Sequence, residues 1–100
     1  MQVVSNLVRN ASKVGARTIT IGAMANTDEV EFWVADDGPG IPAEDLPHMF
    51  DRYFRGHNAG YKGSGLGLPI ANGIVDAHGG RMWIESNVGV GSTFFFALPR

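Results

Sequence analysis

Two pairs of alternating runs constrain this chain more than anything else in it. Residues 17–25, RTITIGAMA, and 29–35, EVEFWVA, alternate with period two and are rich in β-branched side chains. Only Asn-Thr-Asp lies near the join, so the two runs predict an antiparallel hairpin. Val30, Phe32 and Val34 fall on one face of the second run. Residues 81–86 and 92–98 repeat the arrangement around NVGVG, with Phe94, Phe96 and Leu98 on one face. Strands joined so tightly must be antiparallel neighbours.

Helical spacing fills the intervals. Val3, Leu7, Ala11 and Val14 recur at three and four residues, with Val4 and Val8 alongside, which predicts a helix over 2–14 closed by Gly15. Residues 45–52 read as a short helix. Residues 66–78 read as a long one, with Pro69 in its first turn and Gly79–Gly80 as its stop. The order α-β-β-α-α-β-β predicts an α+β, two-layer sandwich. Its sheet is mixed but mostly antiparallel, of about four strands, with helices on one face. At 100 residues this is one domain with one core.

Composition removes several functions. A net charge of −2 leaves no electrostatic footprint for nucleic acid. Without cysteine there is no disulfide framework and no thiolate metal site. No apolar run is long enough to span a bilayer, and no signal peptide is evident. The sequence reads as helical from its first residues, which suggests an excised piece of a longer chain.

Three segments carry chemistry. Asn6, Asn10 and Lys13 lie within a ~60° arc of the first helix. Asparagine is a poor helix-interior residue. The stripe is either a solvated face or a ligand-facing edge where an amide oxygen suits Mg²⁺ and a lysine suits phosphate. In DDGPGIP, residues 36–42, Asp36 ends a strand before two glycines. This is either a tight turn or an acceptor for an exocyclic amine, with Gly38 and Gly40 admitting a planar ligand. In KGSGLGLPIA, residues 62–71, glycines precede a helix, and Arg52, Arg55, His57 and Lys62 stand upstream. That suits either a flexible linker or an anion at a helix N-terminus. The stretch matches neither GxxxxGK[ST] nor a dinucleotide fingerprint.

Jointly, these segments resemble the ATP-binding catalytic (HATPase) domain of two-component sensor histidine kinases. NLVRNASK resembles that family's N box, DDGPGIP its G1 box, MFDRYFRG its F box, GSGLGLPI its G2 box, and GVGSTFFFALP its closing segment. The resemblance spans nearly the whole chain. It implies that Asn10 coordinates Mg²⁺ at the ATP phosphates, with Asn6 in support, and that Lys13 contacts phosphate. It implies that Asp36 binds the adenine amine in a pocket shaped by Gly38, Gly40 and Ile41. Residues from about 47 to 65 become an ATP lid. There Arg52 and Arg55 face the γ-phosphate, and Phe54 and Lys62 join the ATP contacts. Gly63, Gly65, Leu66, Gly67 and Leu68 pin the lid and bind phosphates through their amides.

The implied activity is phosphoryl transfer from ATP to a histidine on a dimerisation and phosphoacceptor domain, in the same or a separate chain. A response regulator follows indirectly. The resemblance places the module in the cytoplasm of a membrane-anchored parent, and as a monomer in isolation. Departures are visible too. The family's strand before the N box is missing, so the domain reads as truncated at its N-terminus. Val14 and Gly15 stand where relatives often carry an aromatic and a polar residue, and the lid is short. His48, His57 and His78 lack the following acid of an acceptor box. An ATPase or anti-sigma-factor kinase of the same superfamily, or a truncated non-catalytic partner-binding module, are the alternative readings.

Overall fold

The fold was obtained as a computed structural model, which describes residues 2–13, 15–51 and 67–100. Helix α1 spans Gln2–Lys13, strand β1 Ile19–Ala25, and strand β2 Glu29–Asp36. A single 3-10 turn follows at Leu46–His48, then helix α2 at Gly67–Ala77, strand β3 at Arg81–Asn87 and strand β4 at Gly91–Pro99. The strands form one sheet in the order β1-β2-β4-β3. All three pairings are antiparallel, the pure case of the mostly antiparallel sheet expected.

Local chemistry sets the boundaries. Gly15, at φ +80, ends α1 and donates to the Ser12 carbonyl at 3.1 Å. The first hairpin turns on Asn26, whose Oδ1 accepts from the amides of Asp28 and Glu29 at 3.0 and 2.8 Å. Gly79, at φ +76, closes α2, and His78 Nδ1 donates to the Ile74 carbonyl at 2.7 Å. Two expected boundaries shift. β1 begins at Ile19 because the amides of Arg17 and Thr18 turn instead to Asp37 Oδ1, at 2.7 and 3.0 Å. The helix expected over 45–52 contracts to Leu46–His48, which holds Pro47 and no side-chain cap, and continues only as further turns to residue 51.

Pairing of β2 with β4 is the non-local decision of the fold. It sets Val30 against Leu98, Phe32 against Phe96, and Val34 against Phe94. All six share the inner face, and the rings of Phe32 and Phe96 stack at 4.9 Å. Helices cover this face: Val3, Leu7, Ala71 and Val75 are buried against Val34, Phe94 and Phe96. On the outer face, Trp83 stacks on Phe95 at 5.0 Å, Arg81 lies 4.5 Å above the Trp83 ring, and Trp33 lies over Gly22. A side chain at Gly22 would collide with that indole, 2.2 Å from a Cβ.

Candidate functional site

Three chain segments meet at one end of the sheet. β2 ends there in Asp36, β4 begins there with Gly91 and Ser92, and β3 arrives with Ser86 and Asn87. The turn at 37–41 packs onto the tip of the β3–β4 hairpin. Gly89 donates to the Pro39 carbonyl at 2.8 Å, and the Ile41 amide donates to Ser86 Oγ at 2.7 Å. Ser86 Oγ also lies 3.1 Å from the Gly91 carbonyl and 2.8 Å from Ser92 Oγ. Gly40 sits at φ +79, and a Cβ there would lie 2.3 Å from the Asn87 carbonyl oxygen. Glycine is required at this position both by backbone conformation and by space.

Asp36 is buried, directly across from Ser92. Its Oδ1 accepts from the Gly38 amide at 2.9 Å, whereas its buried Oδ2 has no partner among the described residues. Burial pushes the Asp36 carboxyl above its ordinary value. The amides of Gly38 and Ser92 pull it back, and the neighbouring Asp37 pushes it up further. A buried acceptor without a donor is costly unless something external satisfies it. An amine-bearing ring fits that requirement, and Ile41 supplies a buried apolar neighbour.

The structure thus brings together Asp36, Gly38, Gly40 and Ile41, as expected. Leu68 is buried in the same core as Ile41 and Leu7, and Gly67 is the first residue of α2. Asn6 is half-buried on α1, and Asn10 and Lys13 lie on the same helix. Arg52, Phe54, Arg55, Lys62, Gly63, Gly65 and Leu66 lie outside the described residues. An open groove along α1 is lined, among the described residues, by Val4, Ser5, Val8 and Arg9.

Sequence reasoning missed Asp37, Ser86 and Ser92. Two of them carried a signal. Ser86 follows Met82 and Ile84, and Ser92 precedes Phe94 and Phe96, on the inner face of their strands. A hydroxyl at an inward position of an apolar strand needs a partner.

A family model described as histidine kinase-, DNA gyrase B- and HSP90-like ATPase matches residues 1–100. The chain belongs to that family. Curated relatives agree in kind. The chain is 42% identical to sensor histidine kinase AruS of Pseudomonas aeruginosa over 97% of its length and 11% of that protein. It is 39% identical to sensor protein FixL of Bradyrhizobium diazoefficiens, over 98% of this chain and 20% of the relative. It is 39% identical to sensor histidine kinase WalK of Bacillus subtilis, over 98% and 17%. The chain therefore spans a fifth or less of the length of these relatives. Solved structures share the fold. Mycobacterial sensor histidine kinase MprB superposes with a TM-score of 0.83 at 29% identity, over 98% of this chain and 70% of that one. Full-length ShkA in complex with AMPPNP gives 0.86 at 31%, over 98% and 20%. The catalytic domain of histidine kinase ThkA gives 0.81 at 36%, over 98% and 65%.

Proposed function

We propose that this histidine kinase-like ATPase domain is the ATP-binding catalytic module of a sensor histidine kinase. On this reading it transfers the γ-phosphoryl group of ATP to a histidine on a dimerisation and phosphoacceptor domain. The observation that carries the reading is the buried Asp36 carboxylate with its unpartnered Oδ2, beside a glycine turn. Oδ2 accepts the adenine amine, Oδ1 remains engaged by Gly38, and Ile41 packs against the ring.

Phosphoryl transfer asks the protein mainly for positioning and charge neutralisation. Asn10, with Asn6 in support, would hold Mg²⁺ through amide oxygens, and the bound ion would supply charge neutralisation at the phosphates. Lys13, Arg52, Arg55 and Lys62 are the cations assigned to phosphate, with the amides of Gly63, Gly65, Leu66, Gly67 and Leu68. Phe54 belongs to the lid over about 47–65, whose closure excludes water. No base is assigned on this chain; the acceptor domain, and through it a response regulator, completes the reaction. The family's hydrolytic reading is weaker, because α1 carries no acidic residue to activate water.

Calorimetric titration with ATP, with and without Mg²⁺, tests the reading, with Asp36→Asn as the decisive variant. Expected are saturable, Mg²⁺-dependent binding and its loss in Asp36→Asn, which still melts cooperatively and at no lower temperature than wild type. Unchanged affinity in Asp36→Asn refutes the adenine role. Labelled ATP with an added phosphoacceptor domain then separates kinase from ATPase: release of labelled phosphate without labelled acceptor overturns the kinase assignment.

A further inference from the structure

The β1–β2 ladder ends where Ile19 faces Asp36. Beyond that pair the two chains would part, but Asp37 holds them together. Its amide donates to the Thr18 carbonyl at 3.3 Å. Its Oδ1 accepts from the amides of Arg17 and Thr18 at 2.7 and 3.0 Å. The Thr18 amide chiefly, then the Arg17 amide, the Asp37 amide and the Thr18 hydroxyl, hold this carboxyl below its ordinary value. The other end of the same link is fastened to α1. Gly15 donates to the Ser12 carbonyl at 3.1 Å, and Ala16 to the Ala11 carbonyl at 3.4 Å. Residues 15–18 thus form a short strap from the end of α1 to Asp37, with all four amides engaged. Asn10 and Lys13, assigned above to Mg²⁺ and phosphate, belong to the last turn of α1. Asp36, assigned to adenine, immediately precedes Asp37 and has its own partner in the Gly38 amide. The Asp36–Asp37 dipeptide therefore joins the adenine end of the site to its phosphate end.

We propose that Asp37 is a positioning residue for the triphosphate. By fastening the α1–β1 link beside the adenine carboxylate, it fixes the spacing between the adenine pocket and the last turn of α1. This role rests on the ATP reading above and deepens it. A ligand gripped at two ends gains fully from both only when the spacing between the grips is set beforehand. Val3, Leu7 and Ala11 stay buried in the core without Asp37, so its loss frees the end of α1 rather than the whole helix. The contacts of Asp37 are exposed, so water can take the place of its carboxylate at the two amides and the fold survives. Charge alone predicts the opposite sign: removing a carboxylate near a triphosphate would strengthen binding.

The test is calorimetric titration of the 100-residue chain with Mg·ATP at rising AMP concentrations, which yields both affinities. AMP keeps the base, the sugar and one phosphate, and lacks the phosphates that Mg²⁺ bridges. In Asp37→Ala the preference for Mg·ATP over AMP is expected to fall about fivefold or more, on the scale of one or two hydrogen bonds. AMP affinity itself stays close to wild type, whereas a general loosening of the pocket would lower both together. Asp37→Asn restores the preference, because both amides use a single oxygen and an amide oxygen accepts equally well. A folded Asp37→Ala with an unchanged ratio, or with equal losses for both ligands, overturns the proposal. So does an Asp37→Asn chain that behaves like Asp37→Ala, which would assign the effect to charge rather than to the strap. If Asp37→Ala does not melt cooperatively, Asp37→Ser, whose shorter side chain no longer spans to both amides, carries the test, and an unchanged ratio there overturns it equally. Wild type with no saturable ATP binding fails the ATP reading itself, and this inference falls with it.

Discussion

Asp36 is a local cost to the fold: a buried carboxyl whose Oδ2 finds no partner among the described residues. It is an acid held above its ordinary value of 3.8 by burial. The folded chain therefore binds the Asp36 proton more tightly than the unfolded chain does. As pH rises from 3.8 through the raised folded-state value, folding stability attributable to this group falls. Asp36→Asn keeps an oxygen for Gly38 and cannot ionise. It is expected to raise the Tm at pH 7 relative to wild type, with the gap narrowing as pH falls toward 3.8. Paired thermal melts across that range check it; a gap independent of pH rejects the assignment. The neighbouring Asp37 behaves oppositely. The amides of Thr18 and Arg17 hold its carboxyl below the ordinary value, so its contribution is present above 3.8 and is lost as pH falls through the folded-state value. One dipeptide thus holds two carboxyls shifted in opposite directions, Asp36 up by burial and Asp37 down by the amides it accepts from.

At the scale of elements, the β3–β4 hairpin acts as the abutment of the 37–41 turn. Gly40 is where the two touch. Replacing it with alanine adds a Cβ 2.3 Å from the Asn87 carbonyl in a backbone conformation that L residues rarely adopt. Gly40→Ala is expected to cost about 2 kcal/mol or more, measured by urea denaturation. Because Ile41 and its bond to Ser86 follow directly, nucleotide affinity should fall along with stability. This joint was not legible beforehand. Period-two alternation revealed each hairpin, since it is a local property of strands. The docking of a hairpin tip on a distant turn depends on Gly89, Pro39 and Asn87, which separately look like ordinary turn residues.

For the molecule as a whole, the layers and the inner face could be read from sequence because Val30, Phe32 and Val34 had to find a matching apolar row. What spacing left open was which strand of the second hairpin supplies it. The structure chooses β4, whose Phe94, Phe96 and Leu98 complete that row. The site was half legible for the same reason. Asp36 and its glycines sit in one short motif, whereas Ser86 and Ser92 join them only after the sheet closes. Phe94 is fully buried at the centre of this assembly. Phe94→Ala is expected to cost about 3–5 kcal/mol. For a domain with a total stability of roughly 5–15 kcal/mol, that leaves little margin. Loss of most of the urea midpoint confirms it, and a shift under about 1 kcal/mol contradicts the packing described.

The aromatic row of the outer face has an optical consequence. The chain's two tryptophans are Trp33 and Trp83, and both lie on the side of the sheet opposite Asp36 and the helices. Each is held by strand-to-strand neighbours: Trp33 by Gly22, and Trp83 by Phe95 and Arg81. Their emission should therefore report the integrity of the sheet and stay silent when nucleotide occupies the other face. In a urea titration the band should shift as the strands separate. In an ATP titration that saturates by calorimetry it should not move, which gives this domain a built-in reporter that distinguishes unfolding from binding.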